Sequence, residues 1–422
     1  MAFTTAAMPS DADFGAAVPA EGTAVSNQTL AHLFTTLTHD MEWGDQRPHL
    51  VRYEGPILVG VEGAAGADGA YDEFLDRFLG LLRQNAGIDI RRSERGANLH
   101  IRFVGGAFGD LLPTVSCLVA PGDKSWQVFA RNPGRHGGRA LARAQATDHM
   151  TIFIPSTARP YLVRNCLLEE VTQALGPAND LYGLGASIFN DDAAHVWPTA
   201  FDYLMLRVLY SPEMRTGMDR AATEQAARRV LDRINPAGIH AAPGVLPEQR
   251  RMASWRRYIQ RVFSRRTGPE EATRLAGKAL ELAIEKGPNS VYHCHSLLTL
   301  GRVVSYRDPA SGLEVFERAR AVCGAAHGAR DVRLARIGIE QAAALLRLGR
   351  HAEVLPLADQ SLPILAAHGQ DERISSLYAL RARALNALGR HADAHEAREL
   401  ARQWGAYAFG TGATHLAQAG EQ

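Results

Sequence analysis

Near the C-terminus one phrase occurs twice. Leu345-Leu346-Arg347-Leu348-Gly349-Arg350-His351-Ala352-Glu353 returns as Ala384-Leu385-Asn386-Ala387-Leu388-Gly389-Arg390-His391-Ala392-Asp393. An apolar helix tail, a glycine and a fresh small-residue start describe two helices joined by a tight turn. Aligning the alanine at the start of each second helix gives Ala272, Ala310, Ala352 and Ala392, spaced by about forty residues, the period of stacked helical hairpins. A hairpin of this size cannot bury its apolar face alone, so the repeats must stack into a superhelix.

The pattern resembles tetratricopeptide repeats, with glycine at the inter-helix turn and small residues where helices touch, although it lacks the large aromatic positions of the strict consensus. An all-α, tetratricopeptide-like helical-hairpin solenoid is therefore expected over residues 269–407, followed by a tail over 408–422. The resemblance implies a protein or peptide partner on the concave face. His293-Cys294-His295 lies on one of these helices, but adjacent helical positions point apart, so no metal site is expected there. Ahead of the repeats, in a basic helix placed over residues 251–268, Arg250, Arg251, Arg256, Arg257, Arg261, Arg265 and Arg266 surround a stripe of Met252, Trp255, Ile259, Val262 and Phe263. Such a basic amphipathic helix either lies on a membrane or nucleic-acid backbone or docks its stripe on a neighbouring domain with the arginines in water.

The first half alternates differently. Ser26 reads as an N-cap before Leu30, Leu33, Phe34, Leu37 and Met41 at helical spacing. Arg52 to Glu62, Ile88 to Ile90, Leu99 to Val104 and Met150 to Ile154 read as strands, Val115 to Val119 as a strand-like run, and Tyr71 to Gln84 as a helix. An α+β layer follows over residues 25–236, behind a disordered lead-in at 1–24. Gly122 to Ala146 carries Arg131, Arg135, Arg139 and Arg143 among glycines and reads as a binding flap or a solvated loop. Residues 237–250, rich in Pro, Gly and Ala, read as a linker.

Glu169-Glu170-Val171-Thr172-Gln173-Ala174-Leu175-Gly176 has the frame of a His-Glu-x-x-His helix, on which two histidines at i and i+4 hold zinc and the glutamate is the base. Glu169 and Gln173 stand at the histidine positions. The frame resembles the metzincin peptidases further along: Gly176 falls at their turn, Asn179-Asp180 at their third ligand, and Asp202 to Tyr210 at their closing helix. The same half resembles a bacterial family, domain of unknown function 2927, through Cys166, Glu169-Glu170, Gln173 to Gly176, Asn179-Asp180, Phe189-Asn190-Asp191 and the end at Tyr210 and Pro212. A metzincin-like α+β domain, a mixed sheet plus an active-site-type helix, is what these resemblances imply.

Oxygen is all that Glu169, Gln173, Asn179 and Asp180 offer a metal, and oxygen donors favour hard ions over zinc. No cofactor is expected, a hard oxygen-liganded ion being the alternative. Glu169, Glu170, Gln173 and Asp180 are the catalytic candidates, and Asn179, Asn190 and Asp191 the substrate-binding ones. In the structural alternative, Glu169 and Gln173 bond along the helix while Asp180 ties down the turn. Cys117 and Cys166 are the disulfide candidate, since a strand packed on the motif helix brings them into range and relatives of this type are exported; in the cytosol they are two buried thiols. The start reads as cytoplasmic, or as periplasmic or secreted if a leader has been removed. With a formal net charge of +1 and no apolar run of membrane length, neither nucleic-acid binding nor a transmembrane segment is expected. The leading function is a zinc-free, peptidase-like polypeptide-binding or scaffolding module, and the rival a peptide hydrolase with Glu170 as base.

Overall fold

The computed structural model describes residues 25–41, 45–63, 71–105, 108–112, 115–182, 184, 187–190, 194–244, 252–264, 266–287 and 290–410. Asp191, the lead-in at 1–24, residues 245–250 of the linker and residues 411–422 of the tail lie outside them. The chain parts into two compact units between residues 249 and 250.

The first unit is an α/β structure around a five-stranded mixed sheet. Its strands are β1 (Ile57–Glu62), β2 (Ile90–Arg92), β3 (Leu99–Val104), β4 (Leu118–Pro121) and β5 (Met150–Pro155), in the order β2-β1-β3-β5-β4. All pairings are parallel except β4 with β5, and β3 meets β5 in register from Leu99↔Met150 to Val104↔Pro155. Alternation assigns the two faces. Ile57, Val59, Leu99, Ile101, Phe103, Met150, Ile152 and Ile154 share one core with Leu75, Phe78, Leu79 and Leu82 of helix Asp72–Ala86 and with Val163, Leu167 and Val171 of helix Pro160–Ala174. His100, Arg102, Thr151 and Phe153 belong to the opposite face.

A second core joins helix Asn27–His39 to helices Ala200–Leu209 and Arg220–Ile234 through Leu30, Phe34, Leu37, Met205, Val208, Ala226 and Val230. The Ser26 hydroxyl caps the opening helix by accepting from Thr29 N. The stretch expected to be a linker does not leave this unit at residue 236. Asn235 Nδ2 donates to Asn27 Oδ1 at 2.8 Å, Ser26 N donates to Ala242 O, and a Cβ on Gly238 would meet Asn27 Oδ1 at 2.0 Å. Residues through 244 are packed against the opening helix, held by polar bonds that carry no apolar period.

Gly122 to Ala146 is likewise no open loop. It forms short helices at Trp126–Arg131, Pro133–His136 and Gly138–Ala142, started by the side chains of Ser125 and Asn132. Phe129 packs with Phe153 and Ala120 on one face of the sheet, while Leu141 and Ala142 join Val119 and Cys166 in the core of the other. The segment is thus a strap passing from face to face at edge strand β4. Helices of one or two turns are too short to declare a period, which is why the glycines and arginines read as a loop.

The second unit is helical. Its helices are Ala253–Val262, Pro269–Lys286, Val291–Arg307, Pro309–His327, Val332–Arg347, His351–Ala367, Asp371–Ala387 and His391–Phe409, each packed on the next. Ala272, Ala310, Ala352 and Ala392 all lie in the first turn of every second helix. Helices approach at small residues: a Cβ on Gly301 would meet Phe316 Cε1 at 2.4 Å, and one on Gly338 would meet Ser361 Oγ at 2.5 Å. Three turns are closed alike, at Gly349, Gly369 and Gly389. Arg350 N donates to Leu345 O and Gly349 N to Leu346 O, and Arg390 N and Gly389 N repeat this onto Leu385 O and Asn386 O. The basic helix is the first member of this array rather than a separate element. Val262 packs with Ala272, Leu275 and Ala276, and Trp255, 1% exposed, donates from Nε1 to Ser296 Oγ at 2.8 Å. Trp255 and Val262 of its stripe are buried within the unit, while Phe263 stays 55% exposed. A disulfide, Cys294–Cys323, links two neighbouring helices of the array.

Candidate functional site

The motif helix, Pro160–Ala174, follows β5 after a short turn and begins with proline at its first position, where the missing N–H loses nothing. Just past its end stands Gly176, at a φ of 143°, where a Cβ would meet Leu209 Cδ2 at 2.8 Å and Val51 O at 2.9 Å, so there is no space for a side chain. Tight packing at that turn delivers Asn179 and Asp180 back beside the helix.

Gln173 and Asp180 are brought together: Gln173 Nε2 stands 3.1 Å from both Asp180 carboxylate oxygens and donates to them. Asn179 is fully buried and donates from Nδ2 to Thr36 O of the opening helix at 3.1 Å. Glu169 is half-buried, on the Gln173 face by its i, i+4 spacing, and Glu170 is buried at 6% exposure. Asn190 is buried further along the chain. Its Nδ2 donates to Ser187 O, inside a loop fastened by Asp202.

Asp202 is the centre of that fastening. Its carboxylate accepts from Ser187 Oγ (2.5 Å), Ile188 N (3.1 Å), Thr199 N (2.7 Å) and Thr199 Oγ1 (3.0 Å), completing a reciprocal cap on helix Ala200–Leu209. Burial pushes its pKa up to about 6 against the pull of these donors. Arg47 holds the other side of the turn: its Nε donates to Leu141 O at 3.1 Å and its Nη1 to Gly176 O at 2.9 Å. Burial among carbonyls lowers this guanidinium to about 10. The bond to Gly176 O places a cation just past the C-terminal, electronegative end of the motif helix. Cys117, immediately before β4, is bonded to Cys166 one turn upstream of Glu169 and Glu170, so edge strand and motif helix are covalently tied.

A second polar constellation, on the sheet face away from the motif helix, has no counterpart among the sequence candidates. His100 Nε2 lies 3.3 Å from His149 Nδ1 and 3.8 Å from Asp123 Oδ1, and His100 Nδ1 lies 3.7 Å from Glu62 Oε1. Arg102 bonds Glu62 through Nε (3.0 Å) and Asp123 through Nη2 (2.8 Å). Its bonds hold both carboxyls below their usual range, outweighing burial at Asp123, while burial lowers His100. The one signal in sequence is the alternation Leu99-His100-Ile101-Arg102-Phe103, which sets a histidine and an arginine on the face opposite the core.

Among the described residues, no group of three or more His, Cys, Asp or Glu stands where it could hold a metal ion, and no helix is long and apolar enough to cross a membrane. Residues 27–229 match the model of a family described as a protein of unknown function (DUF2927). The matched stretch lies within the first compact unit and takes in the whole motif helix. No curated protein and no solved structure matches the chain.

Proposed function

We propose that this chain is a polypeptide-binding or scaffolding protein: a zinc-free, metzincin-like domain joined to tetratricopeptide-like repeats that recruit a protein partner. The observation that carries this reading is the Gln173–Asp180 contact. At the position where a zinc peptidase has its second histidine, an amide is turned onto the carboxylate that follows the motif turn, so the two groups satisfy one another. Zinc hydrolysis takes its rate from a Lewis acid and a polarised water, and a donor set of carboxylates and an amide suits neither the ion nor the geometry. Asn179 and Asn190, both bonded to main-chain carbonyls, support the same assignment as ties.

A metal-independent hydrolase using Glu170 as base, with Glu169, Gln173 and Asp180 around it, draws on one observation, the burial of that carboxyl, because removal from water is how a carboxyl is poised as a base. Two disulfides account for all four cysteines and favour an oxidising compartment for either reading. The deciding experiment uses the full chain, in a peptide-library cleavage assay beside a pull-down from its native source. Retention of a partner without cleavage, unchanged in Glu170→Gln, is the expected result. Cleavage abolished by Glu170→Gln replaces binding with hydrolysis.

A further inference from the structure

The His100–His149 contact has a geometry that fixes what it can hold. The ring centroids are 5.6 Å apart, the planes are inclined by 16°, and the facing nitrogens are 3.3 Å apart. The rings therefore meet tip to tip, nearly coplanar, with Nε2 of one aimed at Nδ1 of the other. A tetrahedral zinc would sit off the line joining the nitrogens, whereas in these nearly coplanar rings the facing lone pairs lie along it, so the rings as oriented do not suit the metal. One proton fits between them, as N–H···N, and two do not.

The surroundings are balanced for the closed form. Glu62 from β1 and Asp123 from the segment after β4 face His100, but Arg102 from β3 already bonds both, and Lys124 adds a second cation whose Nζ donates to Pro121 O. With neutral imidazoles these four charges cancel. One extra proton leaves a shared N–H···N with a single positive charge beside two carboxylates. A second sets N–H against N–H at one buried ring and one exposed ring, with the nearby carboxylates already committed to Arg102.

This pair sits under the root of the strap. Gly122 N donates to His149 O at 2.7 Å, Thr151 Oγ1 donates to Gly122 O at 2.7 Å, and Lys124 N donates to Thr151 Oγ1 at 3.1 Å. Arg102 also donates to Lys124 O, and Ser125, the next residue, caps the first strap helix. The backbone of His149 is thus tied to Gly122, so a displacement of residue 149 that parts the rings is carried to the strap root through that main-chain bond.

We propose that His100 and His149 form an acid-sensitive latch, in which a second proton taken from solvent between the facing nitrogens forces the rings apart and loosens residues 122–142 from the sheet. The rings behave as one coupled unit, since the facing nitrogens accept only one proton while closed. Outside the latch each ring is free to take its own proton, so the open form takes up the second proton first and gains on the closed one as pH falls.

The test is hydrogen exchange by mass spectrometry on the full chain between pH 7.5 and 5.0, corrected for the intrinsic pH dependence of exchange, with residues 27–39 as internal reference. Exchange over 122–142 is expected to rise about tenfold relative to the reference. In His149→Asn, whose position is solvent-exposed, the rise should vanish, and His149→Gln serves as a second variant of the same chemistry. An unchanged strap in the parent protein, or an equal rise in both variants, overturns the latch. So does strap protection gained on adding zinc at pH 7.5, which would mean that the nitrogens turn to a metal.

Discussion

The two units solve the same problem, burying main-chain polar groups at the ends of helices, in opposite ways. In the helical array one solution is repeated: Gly349 and Gly389 close their turns with the same pair of bonds, each spanning at most five residues. In the α/β unit local caps such as Ser26 and Thr199 are joined by individual ties distant in sequence. Arg47 reaches Gly176, Asn179 reaches Thr36, Asn235 reaches Asn27, and Asp202 gathers a loop from Ser187 to Thr199. Apart from its Cys294–Cys323 disulfide, the array should therefore lose stability in small, local steps, and the α/β unit in large ones.

The largest step belongs to the disulfide between β4 and the motif helix. Cys117 and Cys166 are 49 residues apart, and replacing both with serine should lower the stability of the α/β unit by about 4 kcal/mol on loop-entropy grounds. Denaturant unfolding followed by hydrogen exchange in each unit measures it. An equal loss in the helical array would break the comparison, because it would tie the stabilities of the two units together.

Next comes Asp202→Ala. The substitution takes one carboxylate away from Ile188 N, Thr199 N, Thr199 Oγ1 and the Ser187 hydroxyl, and the loss of these bonds in the interior should lower stability by about 3 kcal/mol. Exchange should quicken first over residues 187–209. A loss below about 1 kcal/mol would mean that water replaces the carboxylate, and would remove the α/β unit's claim to large steps.

Legibility in the sequence follows the same division. The period of the array can be read from Leu348-Gly349 and Leu388-Gly389 because each contact is local and recurs, so pattern and structure express the same spacing. Strand β3 and the Ser26 cap are legible for the same reason, as a period of two and a local bond. Whether Gln173 faces a metal or Asp180 is not local: it depends on the turn at Gly176, which depends on Val51 and Leu209 from elsewhere in the chain. The strap was hidden by its short helices, and the Trp255 stripe by a partner, Ser296, 41 residues away. The His100–His149 pair had no signature beyond alternation, because parallel pairing of β3 and β5 is what sets the two rings side by side.

A smaller effect is expected in the array. Gly349→Ala and Gly389→Ala put a Cβ at φ of 71° and 74°, where no atom lies within 4 Å, so only the backbone penalty of about 1–2 kcal/mol applies at each. Separate sites of this kind add, so the double variant should lose about twice as much as either single one. Calorimetry on the three variants would show a departure from additivity if distant turns are coupled, and that would make the array as cooperative as the α/β unit.

The smallest expected effect is a pH dependence that separates two opposed groups within the α/β unit. His39 is buried, with Nδ1 at 3.1 Å from Arg47 O and Nε2 at 3.0 Å from Thr223 Oγ1. Burial lowers its pKa, Arg220 lowers it further, and the Arg47 carbonyl and Asp40 pull the other way. The unfolded chain thus takes up this proton before the folded one, so the stability His39 contributes is present above pH 6.5 and is lost as pH falls below it. Asp202 has the opposite sign. Its folded pKa of about 6 lies above the ordinary carboxyl value, so its contribution is present at low pH and lost as pH rises toward 6 and beyond. Thermal melts at pH 7.5, 6.5 and 5.5 on the parent and on His39→Asn isolate the first term, because Asp202 is common to both proteins. The gap between variant and parent should narrow as the pH falls, since the parent alone surrenders the imidazole's contribution. A gap that widens toward pH 5.5 would mean that the folded state binds the His39 proton more tightly than the unfolded chain does. That would require Asp40, now bonded to Arg220 at 2.8 Å, to turn its charge onto the imidazole instead.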